Sequence, residues 1–580
     1  MSAAFKREMM YCLMHSVRGR SLSLFAAHIL WMLALPVSSQ DIEAINEQKP
    51  VTFNGSLNVG LQMFEARGRP ANREPFMWYI QGNPVLTVYG VTLPFSFSIS
   101  EQQRDFRQPF NQFGVSPSYK WIKAHIGYTN VVFSPFTLGG HTIAGGGVEL
   151  TPGKFRFGVM YGRLFRAVHA IGNPDGSFVT TPSFKRNAGS VKIGYGTETN
   201  FVDLVLVKGQ DDKTSIDYVG SGTEITPAEN LVVGIYSRQT FLKHFFFEGE
   251  YAESVFTRNV DLTEPDSTSY SLIVKPFSSL MQNQNASTTH NSAIDASLAY
   301  QRENYGLRVK YREIGPDYQS MGAYFFQNDL RNITVEPSIK LFKSALQVNG
   351  SYGYQTDNLD NRRASTTKRK IGSVNVNGRI GQTYTGNLFY SNYDLGQTPG
   401  TVSLDTLIQV SQTLRSWGMM QNLMLSGEKL IHNLTLNYNY QILTDRNPNT
   451  SAYADYNTDT WLGSYFLTLS HLKLSLTTSY TFTRFALATQ HTQISGPTLG
   501  LTKTLLKNSM SLNITYSSMG YLVDDQRTRS ITRLSMNTSY RVSRRHRFNL
   551  RFYLNQSSNE AEHVQSFREI KGDIQYALSF

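Results

Sequence analysis

The sequence predicts an all-β chain: a transmembrane antiparallel β-barrel of about 26 strands (24–28), with short turns at one rim and long loops at the other. Three observations predict it. Apolar and polar residues alternate with period two from residue 51 to the end. Short and long connections alternate along the same stretch. No apolar run after residue 39 reaches the roughly 20 residues that a spanning helix needs. A membrane role must then be met by strands, because only helices and closed sheets pair every backbone polar group in hydrocarbon.

Lys6, Arg7, Arg18 and Arg20 precede an apolar run from Leu22 to Pro36, followed by the small residues Val37, Ser38 and Ser39. Basic, then apolar, then small is the order of a cleaved secretory signal, expected over 1–39. Cys12, the one cysteine, lies in that leader, so the mature chain is expected to have no thiol, disulfide or cysteine metal site. Residues 40–50 are expected to form a short periplasmic arm and 51–580 the barrel. The arm, QDIEAINEQKP, is too short for the plug domain of a TonB-dependent receptor.

Among the strands, Leu434, Leu436, Tyr438, Tyr440 and Ile442 alternate with Asn433, Thr435, Asn437, Asn439 and Gln441. Leu472, Leu474, Leu476, Tyr480 and Phe482 alternate with Lys473, Ser475, Thr477, Ser479 and Thr481. Successive side chains point to opposite faces, so each strand has one apolar and one polar face. Tight turns are expected near Gly90, Lys120-Trp121, Pro152-Gly153, Gly196-Thr197, Leu242-Lys243 and Glu303-Asn304. Six more fall near Phe342-Lys343, Gly381-Gln382, Gly427-Glu428, Ser470-His471, Leu506-Lys507 and Arg544-Arg545. These are read as periplasmic turns, and the longer polar connections as extracellular loops. The longest loop, about 257–290, is either a mobile surface loop or a segment that narrows the lumen; the first fits its low apolar content better.

Removing residues 1–39 takes away four bases and one acid, lowering the formal net charge from +12 to +9. The densest basic run is Arg544-Arg545-His546-Arg547, too short for a nucleic-acid patch. Attraction to anionic surface sugars and lipids accounts for the sign equally well. There is no His-Glu-x-x-His, no Gly-x-Ser-x-Gly and no phosphate-binding glycine loop. Gly145-Gly146-Gly147 reads as a glycine-rich strand. No catalytic residue, metal or cofactor is implied.

Charges on the polar faces are more informative. Arg156, Glu248, Glu250, Arg308, Lys310, Arg312, Lys473 and Arg551 are expected to face the lumen, since a charge facing lipid at mid-depth costs roughly 2–4 kcal/mol. Their mixed signs suit cross-lumen pairing and ion selection alike. Arg67, Arg69 and Arg73, then Arg104, Asp105 and Arg107, fall in the first two surface loops. Glu313 to Gly322 is expected to end an upward strand and enter a surface loop at Gly315-Pro316.

The chain ends KGDIQYALSF, with Ile574, Tyr576, Leu578 and Phe580 on one face of a strand. This resembles the closing strand and assembly signal of bacterial outer-membrane barrels. Tyr311–Phe325, Phe389–Asp394 and the leader ending Ser-Ser-Gln are similar to those of large uncharacterised outer-membrane β-barrel proteins of Bacteroidota. The resemblance implies fold and compartment and supplies no active site. The expectation is an outer-membrane channel or an export or uptake conduit with a loop-narrowed lumen. The alternative is a barrel that binds or anchors a surface protein or polysaccharide, and the third is a barrel hydrolase. Expected partners are outer-membrane lipid, the barrel-assembly machinery and a surface or periplasmic protein, and no nucleic acid.

Overall fold

The computed structural model describes residues 51–70, 73–88, 91–95, 97–100, 114–169, 171–172, 178–180, 182–216, 225–265, 270–323, 327–401, 409–560 and 565–580. The leader, the arm, the turn at Gly90, the loop with Arg104, Asp105 and Arg107, and Phe325 lie outside the described residues. Two compact units are distinguished, 1–52 with 87–91, and 53–86 with 92–580. Of the first, residues 51, 52, 87, 88 and 91 are described, all extended. Everything below concerns the second.

It is a barrel-like antiparallel sheet of about 27 strands among the described residues. From Ile122 onward each long strand pairs with its neighbours in sequence. The final strand, Phe567–Ser579, pairs back onto Ser56–Arg67 over twelve positions, from Ser56↔Ser579 to Arg67↔Arg568. The expected count of 24–28 holds. Pairing is thinnest early in the chain, where Asn83-Pro84 splits Phe76–Gly82 from Val85–Val88 and Ser116-Pro117 splits Gly114–Val115 from Ser118–Tyr119. Proline donates no ladder hydrogen bond, so it interrupts a strand.

Eleven of the expected tight turns lie among the described residues, and each joins two paired strands. Several use the left-handed backbone of hairpin turns, at Lys120, Leu242, Lys243, Phe342 and Lys343. Lys473 corrects an expectation. It caps the turn Ser470–Leu472 with φ 49°, and the strand begins at Leu474. Its Nζ reaches Asn508 Oδ1 of the next turn, 2.7 Å away. Alternation extrapolated one residue too far, because a turn residue with positive φ carries no period-two signal.

The face bearing Asn433, Asn437 and Lys310 is called inner here, and its opposite outer. The outer face keeps large apolar side chains in the open: Leu434 is 51%, Tyr480 53% and Tyr161 65% exposed. Aromatic rings flank them in two rows. One lies by the short turns, with Phe155 against Tyr195, Phe245 against Tyr300 and Phe548 against Tyr576. The other lies farther up, with Trp417 against Tyr440 and Tyr438 against Trp461. His432, against Tyr465 in the row by the short turns, and Tyr440 are eight residues apart on one strand. At ~3.3 Å per residue and a ~40° tilt this gives a band about 20 Å tall, near the ~25 Å of an outer-membrane barrel.

Two segments fold onto the inner face. Residues 131–140 and 315–323 bury Phe133, Phe136, Leu138, Tyr318 and Met321 against Val205, Val207, Val232 and Ala252 of the wall. Tyr318 Oη donates to Phe136 O at 3.0 Å, Gly139 N to Gly322 O at 3.0 Å and Met321 N to Asn230 Oδ1 at 2.8 Å. Small wall residues let the segments approach closely. A Cβ on Gly158 would stand 2.7 Å from the Phe133 ring, and one on Gly234 2.5 Å from Thr137 Cγ2. The expected surface loop after Gly315 is therefore corrected: the chain turns there and then runs along the inner wall. Apolar Tyr318 and Met321 outweigh the polar residues between them.

The loop 257–290 does the opposite. Val274 and Met281 pack on Leu231, Val233 and Val255 of the outer face. Buried Glu229 ties it down, accepting from Gln282 N at 3.0 Å and Asn283 N at 2.8 Å and pairing with Lys208. This strap lies outside the lumen and is held to the wall at Val274, Met281, Gln282 and Asn283.

Candidate functional site on the inner wall

Four strands build the site: Phe245–Thr257, Thr288–Gln301, Tyr305–Ile314 and Leu330–Leu341. Their registers align three rows. Glu250 stands beside Asp295, then Arg312, then Asn332. Glu248 stands beside Ser297, then Lys310, then Thr334. Phe246 stands beside Ala299, then Arg308, then Glu336. Five of the eight charges expected in the lumen, Glu248, Glu250, Arg308, Lys310 and Arg312, thus share one recess of about 810 Å³, overhung by Pro135 of the inner segment.

The charges are arranged by sign. Arg238 Nη2 lies 2.7 Å from Glu248 Oε1, and Tyr236 Oη donates to the same oxygen at 2.6 Å. Lys310 Nζ lies 2.6 Å and Arg308 Nη1 3.9 Å from the carboxylate of Glu336. Arg312 Nε is 3.6 Å from Asp295 Oδ2 and makes no hydrogen bond. Its guanidinium lies 5.6 Å from the Phe136 ring centroid. Glu250 is 4% exposed; its Oε1 accepts from Ser134 Oγ at 2.6 Å and Phe136 N at 2.9 Å, while Oε2 is buried with no partner. Glu250 therefore fastens the inner segment, and its second oxygen is left buried without a hydrogen-bond partner.

Arg156 also lies on the inner face, toward the turn end. Its guanidinium bonds Asp203 at 2.8 and 3.0 Å and stacks 4.1 Å over Phe201. Nearby, Glu149 joins Lys192 and His125, each at 3.1 Å. Arg551 sits elsewhere, opposite Asp573 next to the closing strand pair, and does not join the recess. Sequence reading missed Asp203, Arg238, Asp295 and Glu336. Their signal was relational, since each stands opposite or near a charge on another strand.

From Leu346 to Val523 the inner face between the rims is built of amides, hydroxyls and a few apolar side chains. Asn375, Asn377 and Asn387 form one hydrogen-bonded cluster, and Asn422, Asn433 and Thr435 another. At the seam, Ile574 stands between Leu61 and Leu550, and Leu578 opposite Leu57. Tyr576 Oη and His546 Nδ1 are 2.6 Å apart. Phe580 stacks 4.5 Å from Phe53 and exchanges two backbone hydrogen bonds with Gly55. The terminal aromatic is thus part of the seam. Among the described residues no group of His, Cys, Asp and Glu is placed to hold a metal.

No family model and no curated protein matches the chain. Among solved structures it is similar to OccAB3 of Acinetobacter baumannii, at 10% identity and TM-score 0.31, over 61% of this chain and 92% of that one. It is also similar to the outer membrane protein OpdK of Pseudomonas aeruginosa, at 8% identity and TM-score 0.30, over 61% and 94%. Likenesses at this level bear on no residue of this chain.

Proposed function

We propose that this chain is an outer-membrane β-barrel channel, a conduit for uptake or export whose lumen is narrowed by the segments 131–140 and 315–323. The observation that carries the reading is the sidedness of the wall. Large apolar residues stay open on the outer face between two aromatic rows, and the inner face is largely polar except where the segments 131–140 and 315–323 cover it. Patches of exposed apolar surface on this scale mark contact with a membrane or partner. The secretory leader expected over 1–39 supports the same compartment. Passage needs only a wet lumen, so the reading calls for no catalytic group.

A barrel of this many strands encloses a wide lumen unless something fills it. The two inner segments supply part of that filling. Purified protein in a planar lipid bilayer is expected to give discrete current steps. Tyr318→Ala with Phe136→Ala, which removes the rings joining the segments, is expected to raise the open current or its flicker. A bilayer that stays silent with both proteins would overturn the conduit reading. The outer strap favours a second reading, a barrel that holds a surface protein or polysaccharide, because Leu272 on it is 89% exposed. A stable partner that co-purifies with wild type and is lost on strap deletion is its test.

A further inference from the structure

We propose that the recess is a binding site for a zwitterionic short peptide with both termini free, which rests on the conduit reading for the solute's route and deepens it. The geometry is two facing columns of opposite charge. Glu248 and Glu250 line one side, Arg308, Lys310 and Arg312 the other, and Asp295 stands on the strand between them, beside Arg312. Between Glu248 and Lys310 the register places Ser297, and beside Arg308 it places Ala299. The floor is thus made of small side chains in two of the three rows, and Asp295 occupies it in the third. Neighbouring strands are ~4.8 Å apart, so the strand of Glu248 and the strand of Lys310 are about 10 Å apart. An extended peptide advances ~3.5 Å per residue, so a tripeptide spans about the same distance.

Two atoms point to a polar ligand independently of that spacing. Glu250 Oε2 and Arg312 Nε are both buried without a hydrogen-bond partner, one an acceptor and the other a donor, and both belong to residues that line the recess. Buried polar groups are normally paired, so these two lining residues keep hydrogen-bonding capacity that the protein itself does not use. The existing pairs do not compete strongly. Arg238–Glu248 is exposed and Lys310–Glu336 half-buried, and ion pairs open to water contribute little and exchange readily. A simple anion would meet the acidic column, a simple cation the basic one, and a neutral solute would use neither.

The test is calorimetric titration of the full mature chain in detergent micelles with triglycine, N-acetyltriglycine and triglycine amide. Triglycine is expected to bind roughly tenfold more tightly than either blocked form. Arg308→Gln, Lys310→Gln and Glu336→Gln together remove two of the three bases of that column without leaving Glu336 unpaired. This variant is expected to lose that preference while keeping the wild-type shift between heated and unheated gel migration. Equal binding of the three peptides by wild type, or none at millimolar concentration, overturns the site. Flux of the same peptides into proteoliposomes separates the two readings. Binding with no flux keeps the site and removes the conduit; flux with no discrimination in either assay keeps the conduit and removes the site.

Discussion

Asp203 shows what a single inward charge does in this wall. It is 1% exposed and takes both arms of Arg156. Such a pair adds little over an apolar pair of equal volume, but breaking it strands a charge. Asp203→Ala is expected to destabilise the folded barrel by about 3 kcal/mol. Joint replacement Arg156→Met and Asp203→Leu is expected to cost clearly less. Urea unfolding from lipid vesicles measures both, and equal losses would contradict the account. Arg156 was legible because Phe155, Phe157 and Val159 alternate around it. Asp203 was not, because Phe201-Val-Asp-Leu-Val-Leu-Val207 has apolar residues on both faces and offers no side to assign.

That loss of alternation belongs to the element scale. Strands with lipid on one side and water on the other, such as Leu430–Asp445, read clearly from sequence. Phe201–Asp212 and Glu229–Phe241 do not, because the inner segments cover Val205, Val207 and Val232 while the strap covers Leu231 and Val233. A strand covered on both faces reads as a continuous apolar run. Leu204-Val-Leu-Val207 and Leu231-Val-Val233 were therefore the available signals that something packs on each side. Val131-Val-Phe133 was the matching signal in a connection that should have been polar. The strap hangs on Glu229, the buried acceptor for Gln282 and Asn283. Glu229→Ala is expected to speed protease cleavage between 258 and 287 severalfold in vesicles, with cleavage elsewhere unchanged. Unchanged cleavage in the strap would show that apolar packing alone holds it.

For the whole molecule the wall has three zones: an inner face with charges and folded-in segments over the first half, an amide and hydroxyl face over the second, and an apolar outer face around both. The order of strands, the turns and the C-terminal seam were legible because each follows from period two and local turn chemistry. The recess was half legible. Its bases sit on one strand, at Arg308, Lys310 and Arg312, but the acids that give it a direction come from two others. The central claim is that outer side chains touch hydrocarbon and inner ones touch water. Cys12 is the one cysteine, so in protein made from Gln40 onward single cysteines can be placed at each position from 433 to 440 in vesicle-inserted protein and labelled with a nitroxide. The account predicts strict alternation: lipid-soluble oxygen relaxes the label at 434, 436, 438 and 440, and a water-soluble nickel chelate relaxes it at 433, 435, 437 and 439. Access of the chelate to both sets alike would contradict it.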